Sequence, residues 1–173
     1  MFTISTFREA IKKQGGVAKP NLFQVNITNA PNGFPASAFT FQCKIATIPP
    51  STMGVIEVPY FGRMIKIPGN RTFDNLSLTV LNDTKQIMRA SFESWMSGMN
   101  SHEDNTTDVR TVLNADLSIT HFDEQKSPTG KWDFVNCFPV SLGEIGLDWG
   151  SNDTAEEFSV DFAYDYWKSA DAK

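Results

Sequence analysis

Residues 155–168 read Ala155-Glu-Glu-Phe-Ser-Val-Asp-Phe-Ala-Tyr-Asp-Tyr-Trp-Lys168. Phe158, Val160, Phe162, Tyr164 and Tyr166 fall on one side of an extended chain. Glu157, Ser159, Asp161, Ala163 and Asp165 fall on the other. Alternation at a period of two predicts a strand with one dry face and one wet, acidic face, as in an antiparallel sheet that covers a core on one side only. The same reading extends outward. Asn21–Thr28 alternates through Phe23, Val25 and Ile27, and Ala38–Ile48 through Phe39, Phe41, Cys43 and Ile45. The turn-rich Asn-Ala-Pro-Asn-Gly stretch at 29–33 lies between them and predicts a hairpin. Phe73–Leu81, Arg110–Phe122 and Lys131–Val140 complete the set of predicted strands.

Two helices are predicted. Ser5 is placed to cap a short one over Thr6–Gln14 that stops at Gly15-Gly16. Asn82-Asp83-Thr84 precedes a longer one over residues 85–98, with Met88, Phe92, Trp95, Met96 and Met99 on one stripe. Such a stripe reads as core rather than as a cofactor site. Between the second and third strands, residues 49–72 hold four prolines and three glycines around many apolar residues. A long segment of this kind is too apolar for a solvated linker, so an extended arm is expected that buries its apolar side against another surface. The predicted class is mainly β: one domain over residues 1–173, an antiparallel sandwich or small barrel with a flanking helix, a short N-terminal helix and that arm.

Composition bounds the function. The chain has 173 residues, 14 Phe, 4 Trp and 3 Tyr, and a net charge of −5. That excludes collagen-like, disordered and disulfide-scaffold classes. The charge is split: residues 1–70 carry seven Lys/Arg against two acids, and residues 71–173 carry eight against eighteen. A molecule so polarised suits copies that meet basic surface to acidic surface. No secretory leader is recognised near the N-terminus and no apolar run is long enough to span a membrane, so no stable membrane insertion is expected. Cys43 and Cys137 sit within predicted strands and read as buried free thiols.

No catalytic constellation emerges. His102 and His121 have no Cys or His partner at metal-ligand spacing, and phosphate-loop, nucleophile-elbow and zinc-protease motifs are absent. The acidic stretch from Asp148 lacks the residue order of a calcium loop and reads as a turn. No catalytic residue, metal or cofactor is therefore expected. Nucleic-acid binding is disfavoured by the acidic balance and the lack of a basic stripe. A carbohydrate-binding sandwich would need exposed aromatics at a flat site, for which Trp132, Trp149 and Trp167 are the available residues.

Several segments carry a resemblance when read in order. Pro20-Asn-Leu-Phe-Gln-Val25 is followed by Phe39-Thr-Phe-Gln-Cys-Lys-Ile-Ala-Thr-Ile-Pro49. Gly62-Arg-Met-Ile-Lys-Ile-Pro-Gly-Asn-Arg-Thr-Phe-Asp74 then runs towards Leu78-Thr-Val-Leu-Asn-Asp83, and Phe92-Glu-Ser-Trp95 lies on the helix. Phe138-Pro-Val and Leu142-Gly-Glu-Ile-Gly-Leu-Asp-Trp149 precede the strand quoted first. This order resembles the tail tube proteins of contractile-tailed bacteriophages, whose fold is shared with the tube protein of type VI secretion.

The resemblance implies a non-enzymatic structural subunit. It implies homo-hexameric rings stacked into a hollow conduit for genome DNA, with sheath, baseplate and tail terminator proteins as partners. The location it implies is the phage tail of a virion, after synthesis in the bacterial host cytoplasm. It implies subunit contacts for the arm, with Val55, Ile56, Val58, Tyr60, Phe61, Arg63, Met64 and Lys66 as interface candidates. Asn114, Asp116, Ser118 and Thr120, with Glu157, Ser159, Asp161 and Asp165, become candidates for the lumen wall, where acidic groups would repel DNA phosphates. The tube of a secretion or extracellular contractile injection system is the near alternative.

Overall fold

A computed structural model describes residues 3–13, 15–31, 33–104, 106 and 114–170. The element order is α1 (Ile4–Lys13), β1 (Phe23–Thr28), α2 (Ala36–Gln42), β2 (Cys43–Thr47), β3 (Ser51–Tyr60), β4 (Arg63–Phe73) and β5 (Leu76–Leu81). Then come α3 (Ile87–Met99), β6 (Ala115–Phe122), β7 (Pro128–Leu142), β8 (Glu157–Ala163) and β9 (Tyr166–Ser169). Seven strands form one antiparallel sheet, ordered β1-β6-β7-β8-β5-β2, with β9 added to β7. Strands β3 and β4 form a separate two-stranded sheet.

The alternating residues explain the layering. Val25 and Ile27 on β1, Leu117 and Ile119 on β6, Leu76, Leu78 and Val80 on β5, and Phe158, Val160 and Phe162 on β8 are all buried in one core. Their sequence neighbours face water. Helix α3 closes that core with Met88, Phe92 and Trp95, all buried. Asp83 starts this helix: its Oδ1 accepts the Met88 N–H at 3.1 Å, and such hydrogen bonds hold its pKa below the usual value.

Strand β7 is long enough to serve both halves of the sheet. Its first half pairs with β6 and β9, and its second half with β8. Between them Asn136 adopts a left-handed conformation, φ 58°, at a bulge that changes which residues point inward. Phe134 is buried before the bulge and Cys137 after it. Burial pushes the pKa of the Cys137 thiol up to about 12, and both cysteines are free.

Three expectations need correction here. The predicted hairpin of Asn21–Thr28 with Ala38–Ile48 does not form: β1 pairs with β6, β2 pairs with β5, and the two strands lie at opposite ends of the sheet. The predicted strand Ala38–Ile48 is helix α2 followed by the shorter strand β2. Phe39 alone of its aromatic pair enters the core, whereas Phe41 is 84% exposed. Alternate large residues satisfied the period of two, but burial follows Ala36, Phe39 and Cys43 at helical spacing, against β1 and α3. The predicted continuous strand Ala155–Lys168 breaks after Ala163. Opposite the Asn136 bulge the chain slips by one residue, so Trp167 turns inward and Tyr166 outward.

Smaller differences follow local chemistry. Helix α1 is capped by Thr3, whose Oγ1 accepts the Thr6 N–H at 3.3 Å, rather than by Ser5. Helix α3 runs through Gly98 to Met99 instead of ending there. The predicted strand start at Arg110 lies outside the described residues.

Candidate assembly surfaces

The arm over residues 49–72 is a β-hairpin. Phe61 and Gly62 form its two-residue turn with φ values of 44° and 77°, the left-handed pair that matches the twist of a tight hairpin. Gly54 and Gly69 face each other across the strands, where a Cβ on Gly69 would lie 3.1 Å from the Gly54 backbone. A side chain at either position would push the strands apart by a few tenths of an ångström.

Partners across the ladder share a face. Ile56 opposes Ile67, Val58 opposes Ile65, and Tyr60 opposes Arg63 on one face. The other carries Val55 opposite Pro68, Pro59 opposite Met64, and the Glu57–Lys66 pair at 3.7 Å. Every residue of β3 is exposed, and Phe61 at the tip is 91% exposed against the Tyr60 ring. An isolated hairpin is marginal in water and an uncovered apolar strand pair is an association hazard, which makes this surface a candidate for contact with another chain.

The predicted lumen residues fall into two groups. Glu157, Ser159 and Asp161 line the wet face of β8 beside Leu81, Thr79 and Ser77 of β5. Lys44 reaches Glu157 at 2.5 Å, and Ser77 donates to Asp161. Asp116, Ser118 and Thr120 line the wet face of β6 in the other half of the sheet, opposite Thr28, Asn26 and Gln24 of β1, and Asn114 precedes them. Both halves turn their dry sides to a single core, so these two rows point away from one another.

Asp165 continues neither row. It sits in the break between β8 and β9, where Asn136 Nδ2 donates to its Oδ2 at 2.5 Å. Asp116 shares this fastening. It accepts the Asn136 N–H at 3.2 Å and the Asn29 Nδ2–H at 3.0 Å. Both carboxylates thus hold the β7 bend in place.

One feature escaped the sequence reading as a surface. The 143–156 loop is anchored at both ends: Gly143 N–H donates to Ser159 O at 2.7 Å and Asn82 N–H to Glu156 O at 2.9 Å. Within it Asp148 accepts from the Gly150 N–H at 3.0 Å and from the Ser151 hydroxyl at 3.3 Å. This tight turn presents Leu147, 83% exposed, and Trp149, fully exposed. Two large apolar residues between Gly146 and Gly150, in a segment with no strand period, were the available signal. Trp132 and Trp167 pack against the core, so the three tryptophans do not make the flat platform a sugar-binding reading requires.

Comparison with known proteins agrees with this architecture. A family model described as phage tail tube protein matches residues 18–170. The tail tube protein gp19 of Enterobacteria phage T4 is 32% identical over 158 residues, spanning 90% of this chain and 94% of that protein. A tail tube protein of Serratia phage KSP90 is 27% identical over 168 residues, 95% of each. Two solved assemblies contain chains of the same fold. One is the extended sheath–tube complex of the PVC extracellular contractile injection system, at TM-score 0.66 and 16% identity over 98% of both chains. The other is the anti-feeding prophage baseplate, at TM-score 0.66 and 19% identity over 88% of this chain and 95% of that one. With a family match across nearly its whole length, the chain belongs to the phage tail tube proteins, structural subunits of the tail rather than enzymes.

Proposed function

We propose that six copies of this chain close into a ring and that rings stack, through the β3–β4 hairpin, into the hollow tube through which genome DNA leaves the virion. The observation that carries the reading is the hairpin: an apolar ribbon of two strands, covered by no other described residue of its chain beyond its base. Val55, Ile56, Val58, Tyr60, Phe61, Arg63, Met64 and Lys66 are its contact residues. Ring closure gives the free edges of the sheet, at β1 and β2, neighbours to meet.

One wet row faces the lumen. We assign it to β8 and its neighbours, with Glu157, Ser159 and Asp161, because the flanking positions Ser77, Thr79 and Ser141 are short and make a smooth acidic wall. Asp116 and Asp165 then serve the β7 bend, and Asn114, Ser118 and Thr120 face outward. The sheath, baseplate and terminator proteins are partners by analogy with structural neighbours found in such assemblies. The protein is made in the host cytoplasm before assembly. Sequence identity to phage tubes, above that to the extracellular injection systems, favours the phage role.

Electron microscopy tests the reading. Wild-type protein is expected to give rings and stacked tubes. A variant with residues 54–69 replaced by a short Gly-Ser turn keeps the Ser51–Phe73, Thr52–Thr72 and Met53–Arg71 pairs and is expected to fold without stacking. Tubes from that variant, or wild-type protein that stays monomeric at all concentrations, would overturn it.

A further inference from the structure

The hairpin needs an acceptor, and the molecule carries one surface that complements it in both apolar character and charge. The 143–156 loop holds Glu144, Asp148, Asp153 and Glu156 with no Lys or Arg among them, around the exposed Leu147 and Trp149. The hairpin holds Arg63, Lys66 and Arg71 against Glu57 alone, with Arg63 on the apolar face of Ile56, Val58, Ile65 and Ile67 and Lys66 behind it. Each surface is held by its own hydrogen bonds before contact, the loop through its Asp148 turn and its two anchors, the hairpin through its ladder and tight turn. Preformed surfaces lose little conformational entropy on docking.

We infer that the hairpin of one copy docks on the 143–156 loop of another, with Leu147 and Trp149 packed on its apolar face and the loop acids facing Arg63. This rests on the reading of the hairpin as an interface and names its partner.

A second basic, apolar element competes for the loop. Helix α1 exposes Ile4 and Phe7 and carries Arg8, Lys12 and Lys13. The hairpin is the better match. Its apolar face is broader, and the ten residues of β3 extend it roughly 33 Å, every one of them exposed. Because hairpin and loop are different patches, each copy offers one of each, and the contact is heterologous and propagates from copy to copy. A stacked tube requires contacts of that kind.

Charge reversal tests the pairing. Glu144→Lys with Asp153→Lys reverses the loop and leaves the turn-forming Asp148 alone. Arg63→Glu reverses the hairpin on its docked face and leaves the Glu57–Lys66 pair alone. The loop pair alone, and the hairpin change alone, are each expected to raise the protein concentration needed for tube growth, followed by light scattering, about tenfold. All three together are expected to return it near the wild-type value, with unfolding midpoints confirming that every variant folds. No recovery in the triple variant overturns the pairing, and so does recovery when the loop is combined instead with Arg8→Glu, Lys12→Glu and Lys13→Glu. The shortened hairpin separates the two ideas. If it polymerises normally, the hairpin reading itself fails; if it does not, while the charge swap also fails, only the loop assignment is wrong.

Discussion

Phe92 shows what single residues decide here. Its ring meets Phe34, Phe39, Trp95, Phe158 and Phe162 at centroid distances of 5.1–6.3 Å. It therefore joins α3, α2, the 29–35 loop and β8 into one core. Phe92→Ala is expected to cost about 3–5 kcal/mol through lost burial and the cavity left behind. Urea unfolding of the monomer would measure this, and a loss under 1 kcal/mol would mean that the aromatic cluster is not the centre of the core. The Met88, Phe92 and Trp95 stripe was legible because helical periodicity names the buried side directly. Phe41 was not, since its large ring fits a strand pattern as well as it fits the exposed side of a short helix.

Among elements, α3 carries a pH signature at its start. The Asp83 carboxylate accepts backbone N–H groups in the folded protein, which lowers its pKa. Its contribution is therefore present above the unfolded value, near 3.8, and is lost as pH falls through the lower folded value. Asp83→Ala should lower the melting temperature at pH 7, and the difference from wild type should shrink below about pH 4. A gap that stays constant down to pH 2 would show that the carboxylate charge plays no part.

Strand legibility differs across the sheet for a related reason. Strands β1, β5, β6 and β8 follow the predicted alternation because each has one face in the core. Strand β7 and the β8–β9 passage depart from it at Asn136 and Asp165. A bulge shifts the inward set by one residue, and no local pattern announces it.

At the scale of the whole molecule, the wet rows on β6 and β8 point in opposite directions, so a lumen-facing assignment can be tested by contrast. Thr79→Lys with Asp161→Lys places new cations on the β5–β8 face. Tubes carrying them should assemble, yet eject DNA severalfold more slowly at low salt, with the defect easing as salt rises. Ser118→Lys with Thr120→Lys on the β6 face should leave ejection unchanged. The opposite result would move the lumen to the other half of the sheet. The charge split between residues 1–70 and 71–173 is reflected at this scale, since Arg63 and Lys66 of the hairpin fall before it and the acidic loop after it.

The sequence by itself determined the class, the core residues of four strands and one helix, the apolar arm and, through the order of its segments, the family. Those features rest on periodicity, composition and local wording, which are properties of short stretches. Only the tertiary structure decided that the arm is a ladder of paired strands with one apolar face. It alone turned Ala36–Gln42 into a helix, took Asp165 out of the acidic row and brought Asp116 to the same bend. It also raised Leu147 and Trp149 on a held turn. Each of these depends on partners distant in sequence, and a residue's face is settled only when the strand or helix opposite it is in place.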